Sequence, residues 1–266
     1  MLSRAFERLE RAVPPRWRVD PDFLIIGTMK GGTTTLYETL RRHPEVASAE
    51  TKEIHFFDDH WKEGTGWYRR HFQSVFRRAA GRRRGASFVT GEATPRYLFS
   101  PKVPARVAEI LPHARFVALL RDPVTRAYSH FQHNRRHDRE PRPFAEAVDA
   151  EVAGHAAGQE RVKPSYLARG LYADQLERWW SHFPRERLLI RTSEEFFADT
   201  PAVLDDVCAH LELAEYDWAG SGKAGRAYNR HPYSPADEAT LDRLREWFAP
   251  SVERLETLLG RRMGWS

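Results

Sequence analysis

A short apolar run, Phe23-Leu-Ile-Ile26, passes through Gly27 into Thr-Met-Lys-Gly-Gly and then into three consecutive threonines, Thr33, Thr34 and Thr35. The apolar residues read as a buried strand that Gly27 ends, and the threonines open a helix. Gly31 and Gly32 let backbone approach an anion closely, and N–H groups at a helix start point toward negative charge. Lys30 adds a full positive charge and the threonine hydroxyls add donors. A strand, a phosphate-holding loop and a helix in immediate succession constrain both the fold class and the ligand class. By itself the stretch also fits a plain glycine turn between strand and helix.

Spacing narrows the ligand. The nucleoside-triphosphate loop reads G-x-x-x-x-G-K-[ST], with lysine directly after the second glycine and a Ser/Thr for magnesium. Gly27 and Gly32 keep the glycine separation, but Lys30 lies inside the loop and Thr33 occupies the usual lysine position. A lysine there lies beside the 5′ end of a nucleotide instead of reaching over a γ-phosphate. ATP with magnesium is poorly supported.

Strand and helix patterns alternate along the rest of the chain. Thr34–Arg42 reads as a helix stopped by His43-Pro44, Phe88–Gly91 as a short strand, Val103–Leu111 as a helix and Arg115–Leu120 as a strongly apolar strand. Asp122-Pro123 supplies an N-cap and a first-turn proline for a helix to about Arg136. Tyr172–Phe183 places Leu176, Trp179, Trp180 and Phe183 at helical spacing, as a core stripe, and Arg187–Arg191 is the last strand. Thr200-Pro201 and Ser234-Pro235 precede the closing helices, with Asp237 completing a Ser-x-x-Asp capping pattern. Loops 154–164 and 220–233 are the flexible candidates. The expected fold is α/β, a single domain over 21–266 with a central parallel sheet flanked by helices, and ligands at the carboxyl ends of the strands. Met1 to Asp20 reads as an amphipathic lead-in ending at Pro14-Pro15.

The chain has 266 residues, enough for a sizeable core, and no apolar run approaches bilayer length. Cys208 is the only cysteine, so no intrachain disulfide forms, and a cytoplasmic location is the default expectation. Net charge is +5. Arg77-Arg78, Arg82-Arg83-Arg84 and Arg135-Arg136 read as solvated faces that can attract an anionic substrate. No nucleic-acid recognition motif accompanies them.

Three further segments carry chemistry. Lys52-Glu53-Ile54-His55-Phe56-Phe57-Asp58 sets Glu53 and His55 among apolar anchors; anchored so, the pair projects together into a cleft as a tunable base. Alone it also fits an edge strand with surface charges. Arg121-Asp-Pro follows the strongest strand, with Ser129 about two turns into the next helix, a pair suited to a second phosphate. Gly222-Lys-Ala-Gly-Arg226 is a basic, glycine-bearing loop that suits a flap closing on an anion.

In order and separation, these segments resemble the sulfotransferases that use 3′-phosphoadenosine 5′-phosphosulfate (PAPS). The resemblance is strongest to the branch of heparan sulfate N-sulfotransferase and 3-O-sulfotransferase domains, and it runs from about Asp22 to the carboxyl terminus. Gly66-Trp-Tyr68, Ser100-Pro-Lys-Val-Pro104 and Gly170-Leu-Tyr172 are similar too. The resemblance implies in-line transfer of a sulfuryl group to a hydroxyl or amine of a carbohydrate, glycolipid or small molecule, without a metal. It implies Glu53 as general base with His55 assisting, and Lys30 stabilising the departing oxygen. Lys30, Gly31, Gly32, Thr33, Thr34 and Thr35 would hold the 5′-phosphosulfate, and Arg121, Ser129, Lys223, Gly225 and Arg226 the 3′-phosphate, with Tyr172 at the same cofactor site.

Two departures stand against the family pattern. The glycan sulfotransferases commonly carry a lysine where this chain has Ala93, with Glu92 and Arg96 nearby as candidate replacements. The vertebrate domains have a disulfide near the late loop and a membrane anchor, so the expectation here is a soluble, bacterial enzyme whose acceptor need not be heparan sulfate. Trp61, Trp67, Tyr97 and Phe131 are aromatic candidates for an acceptor site, each equally suited to core or surface. A P-loop phosphotransferase and a non-catalytic anion-binding module remain the alternatives.

Overall fold

The computed structural model describes residues 10, 12–82, 88–159, 164–218, 220 and 235–265. Its sheet is built from β1 (Phe23–Gly27), β2 (Val46–Ser48), β3 (Val89–Ala93), β4 (Arg115–Leu120) and β5 (Leu188–Thr192). All neighbours run parallel, in the order β2-β3-β1-β4-β5. The described helices are α1 (Thr33–Leu40), α2 (Gly64–Arg69), α3 (Val75–Arg82), α4 (Val103–Ile110), α5 (Pro123–Arg136), α6 (Phe144–Ala156), α7 (Tyr172–Trp180), α8 (Ser193–Ala198), α9 (Thr200–His210) and α10 (Glu238–Leu259). This is one α/β domain with helices on both faces of a parallel sheet.

Every residue of β1 is buried, as expected for a central parallel strand covered on both sides. Alternation divides its side chains. Leu24 and Ile26 join Phe116, Ala118, Tyr68, Tyr97 and Trp179 on one face, while Phe23 and Ile25 join Val117, Leu119, Leu36 and Leu204 on the other. A third cluster, including Phe131, Phe144, Leu244 and Phe248, packs α5, α6 and α10 together. Trp179 and Phe183 are core, as the helical stripe predicted, whereas Trp180 stays half-buried beneath Arg185.

Several boundaries move from the sequence reading. The strand expected at Phe88–Gly91 runs on to Ala93, which carries Glu92 and Ala93 into the sheet. Strand β2 was not anticipated: three residues are too few for an alternation to show. Asp122 caps α5 as expected, accepting from the Thr125 N–H at 2.8 Å. Asp199, not Thr200, caps α9, and Asp237 is itself the cap of α10, accepting from Thr240 N at 3.0 Å. Ser234, with which Asp237 was expected to form a capping pattern, lies outside the described residues. So do 160–163 and 221–233, most of the two loops expected to be flexible. Where the lead-in is described, Pro15–Trp17 forms a 3-10 turn, and the Glu10 carboxylate accepts from Ser74 N and Oγ at 2.5 and 2.7 Å.

Candidate active site

Because all strands are parallel, their carboxyl ends share one edge, and the segments that follow β1, β2, β3, β4 and β5 converge there. Between β1 and β4 the chain order reverses outward, which opens a crevice in sheets of this kind. The phosphate-loop candidate follows β1 and the Glu53 segment follows β2. The Arg121 segment follows β4. Short β2 is therefore the element that delivers Glu53 and His55 to the sheet edge.

The loop after β1 is tightly fixed. Thr28 N–H donates to Leu119 O at 2.8 Å, and Gly31 N–H donates to Thr28 O at 2.9 Å. A Cβ on Gly31 would lie 2.5 Å from Leu119 O, so only glycine fits, and Gly32 has a φ of 91° that favours glycine. Lys30, with φ 72°, also occupies left-handed backbone, a conformation held by its surroundings. Gly32 is the N-cap of α1 and supplies no side-chain cap to the first turn. Thr33 and Thr35 are buried and Thr34 is half-buried. Ser193 Oγ, at the start of α8, lies 2.7 Å from Gly31 O and 3.1 Å from Leu120 O, tying loop, β4 and α8 together.

Cations surround Lys30. Burial comes first in lowering its ammonium pKa, followed by Arg121 and Arg136. His133 is held down to about 4 by burial and then by Lys30, His137, Arg139 and Arg136. Arg121 donates from Nη1 to Lys30 O at 3.1 Å, and its own carbonyl accepts the Tyr172 hydroxyl at 2.7 Å. Tyr172 is buried and braces the Arg121 backbone. Ser129 is buried midway along α5, the helix that begins beside Arg121. Lys223, Gly225 and Arg226 lie outside the described residues.

The Glu53 segment is an irregular turn, not an edge strand. Ile54, Phe56 and Phe57 are buried anchors, as anticipated, and they leave Glu53 exposed and His55 half-buried beside it. Glu53 (φ 61°) and His55 (φ 57°) are both left-handed. Glu53 Oε1 accepts from Lys52 Nζ at 2.5 Å, while its Oε2 lies 3.6 Å from His55 Nε2. His55 Nδ1 lies 3.0 Å from Asp58 Oδ2. The imidazole is thus clasped between two carboxylates. Its bond to Asp58, then its contact with Glu53, outweigh burial and raise its pKa to about 9. Burial pushes the Glu53 carboxyl upward, but His55 and Lys52 outweigh it and hold it at about 2.

Asp58 was not among the expected site residues. The signal was present, an acid three residues after His55, but only the turn brings it to the ring. Arg96 bonds Asp59 at 2.7 Å and lies 3.4 Å from Asp58. The ligand atoms of His55, Asp58 and Asp59 fall within 4.8 Å of one another, yet Arg96 already engages both carboxylates. Ala93, in the lysine's position, is fully buried, and the two expected substitutes have other places: Glu92 is fully buried and Arg96 is held by the two aspartates. Of the aromatic candidates, Tyr97 and Phe131 are core, while Trp61 and Trp67 pack on Phe56.

The clasp has a testable consequence. A histidine whose pKa is raised on folding stabilises the fold below its ordinary 6.5, and that contribution is lost as pH climbs through about 9. In Asp58→Asn the His55 titration midpoint, followed by histidine NMR, is expected to fall toward 6.5, and the alkaline decline in Tm should begin at correspondingly lower pH. A midpoint that stays near 9 in the variant would remove Asp58 as the cause.

A family model described as a sulfotransferase domain matches residues 20–217. The chain is 30% identical over 266 residues to mouse heparan sulfate glucosamine 3-O-sulfotransferase 3B1, covering 92% of this chain and 65% of that protein. It is 29% identical over 202 residues to a Caenorhabditis elegans bifunctional heparan sulfate N-deacetylase/N-sulfotransferase 1, covering 74% of this chain and 22% of that one. The chain therefore spans about two thirds or less of these relatives. Among solved structures, a sulfotransferase from Alicyclobacillus acidocaldarius superposes with a TM-score of 0.67 at 29% identity, covering 92% of this chain and 98% of its own. Mouse SULT7A1, solved with PAP, shares the fold at 16% identity and a TM-score of 0.50, over 83% of this chain and 71% of its own. With a glycine-rich loop after β1, the Glu53–His55 turn after β2 and this match along most of its length, the chain belongs to the sulfotransferase family.

Proposed function

We propose that this protein transfers the sulfuryl group of PAPS, by in-line displacement, to a hydroxyl or amine of a carbohydrate or small-molecule acceptor. The observation that carries the reading is the grouping of Lys30, Arg121 and Arg136, cations whose mutual repulsion the fold maintains beside an uncapped helix start. Such a site fits a ligand with two separated anionic groups. The sulfotransferase relatives and the PAP-bound mouse neighbour support the choice of PAPS.

When bound, PAPS supplies an activated sulfuryl group on a phosphate leaving group. The N–H groups and hydroxyls of Gly31 to Thr35 would hold the 5′-phosphate. Lys30 would neutralise charge as it develops on the bridging oxygen, and Arg121 with Ser129 would hold the 3′-phosphate, aided by Lys223, Gly225 and Arg226. Glu53 takes the acceptor proton once the acceptor displaces Lys52 from its Oε1, which removes one of the contacts that depress its basicity. His55, fixed by Asp58, keeps the other oxygen of Glu53 in place.

Calorimetric titration tests the ligand assignment. Adenosine 3′,5′-bisphosphate (PAP) is expected to bind without magnesium and far more tightly than ATP. In Arg121→Ala, PAP affinity should fall by about 10- to 100-fold, the range of one charge-assisted phosphate contact, with little change for AMP. Magnesium-dependent ATP binding with indifference to PAP would overturn the proposal in favour of a phosphotransferase.

A further inference from the structure

Glu92 is a fully buried carboxylate near the end of β3, outside both the phosphate loop and the acid–base turn in the chain. Its Oε1 accepts the hydroxyls of Tyr68 at 2.9 Å and Tyr97 at 3.0 Å. Its Oε2 accepts the Thr94 hydroxyl at 2.6 Å and the backbone N–H of Ile54 at 3.3 Å. That last donor sits between Glu53 and His55, the two residues held in left-handed backbone. A residue with a side chain adopts that backbone at a cost, so a turn with two of them, one on each side of Ile54, persists only where something fixes the peptide between them. The Tyr97 hydroxyl extends the same network, lying 3.4 Å from the Phe57 N–H it accepts.

We infer that Glu92 is a positioning residue for the acid–base pair: its carboxylate clamps the Ile54 peptide and so sets the backbone from which Glu53 and His55 project. The four donors fill the lone-pair sites of the carboxylate, and the one backbone donor among them comes from the strained turn. Burial outweighs the four donors and raises the carboxyl above the usual carboxylate range. The sheet transmits the constraint, because Leu24 of β1 is the register partner of Glu92. Loop after β1 and turn after β2 are thereby referenced to the same strand pair.

The inference rests on Glu53 and His55 serving the proposed reaction, but its test has an arm independent of that reaction. Glu92→Gln keeps the length of the side chain and an oxygen for the Ile54 N–H, with its NH2 turned to the tyrosines, whose hydroxyls can accept. Glu92→Asp keeps the charge but draws the carboxylate back from the longest of its contacts, Ile54. Clamping predicts that Glu92→Asp lowers kcat by on the order of 10²-fold with PAP affinity within about 3-fold, whereas Glu92→Gln stays within about 10-fold of wild type. Histidine NMR should show the His55 midpoint falling by about one unit or more in Glu92→Asp and little in Glu92→Gln. Tyr68→Phe removes a partner without touching Ile54, and should lower Tm while leaving the midpoint and kcat in place. A purely structural role predicts the opposite ranking, with Glu92→Gln the more damaged, or a Glu92→Asp protein of reduced Tm with wild-type kcat and midpoint; either result overturns the inference. Should neither variant fold, amide exchange in the wild-type protein decides: a protected Ile54 N–H supports the clamp, and one that exchanges at the rate of an open loop overturns it. If no acceptor is ever sulfated but the midpoint follows the predicted ranking, the clamp stands and the proposed reaction falls.

Discussion

Glu53→Gln is expected to reduce sulfuryl transfer by on the order of 10²-fold or more while PAP affinity stays within about 2-fold. The amide matches the carboxylate in size and can still accept one contact, so the turn keeps its shape. What it lacks is the capacity to take a proton. Wild-type Glu53 sits at about 2 because His55 and Lys52 bind its charged form. That value describes the acceptor-free site; in the proposed reaction, displacement of Lys52 by an acceptor hydroxyl would raise the basicity. Single-turnover measurements with saturating PAPS, beside calorimetry with PAP, separate the two quantities. Undiminished turnover in the variant would remove Glu53 as the base, and parallel loss of affinity would point to a collapsed site. The same variant should lower the His55 midpoint, since one of the two carboxylates flanking the ring has gone.

Lys30→Ala is the second large effect. Turnover is expected to fall by about 10²- to 10³-fold, the range for loss of one donor aimed at developing charge, with a smaller loss in PAP binding. Stability should move the other way or not at all. In the free protein the Lys30 ammonium is disfavoured by burial and by Arg121 and Arg136, so its removal relieves repulsion. A Tm equal to or above wild type, together with a large drop in kcat, is the expected signature. Equal losses in kcat and affinity would mean that Lys30 serves only ground-state binding. A drop in Tm of several degrees would mean that the side chain also holds the loop, contrary to the electrostatic reading.

Much of this site was legible along the chain because its signals are local. Lys30, Gly31, Gly32 and the threonines announce an anion loop through residue type and spacing, and Asp122-Pro123 announces a helix start through cap chemistry. The apolar runs of β1 and β4 mark buried parallel strands. Other parts depend on distant partners. Nothing near Glu92 indicates that it turns inward to meet Ile54, since that donor and the Tyr68 hydroxyl lie 38 and 24 residues away. Ser193 was missed for the same reason: its bond to Gly31 spans 162 residues. Strand β2 was too short to leave a pattern, though it carries the Glu53–His55 turn to the sheet edge. Tyr172 was expected among the cofactor residues, and the fold places its hydroxyl on the carbonyl of Arg121.

Residue identity and spacing were enough to determine an α/β fold with a parallel sheet, a glycine-rich loop with a lysine between its first strand and helix, and the pairing of a carboxylate with a histidine. Periodicity and glycine chemistry act over a few residues, and a sequence records them directly. Only the tertiary structure decided the protonation of that pair and the backbone from which it acts. Glu53 and His55 take left-handed conformations that neither would hold alone, and their pKa values move in opposite directions because Asp58, Lys52 and each other lie within contact distance. Electrostatic energies and hydrogen bonds depend on separations of a few ångströms, and those separations are set by which strands pair and which side chains fill the core between them.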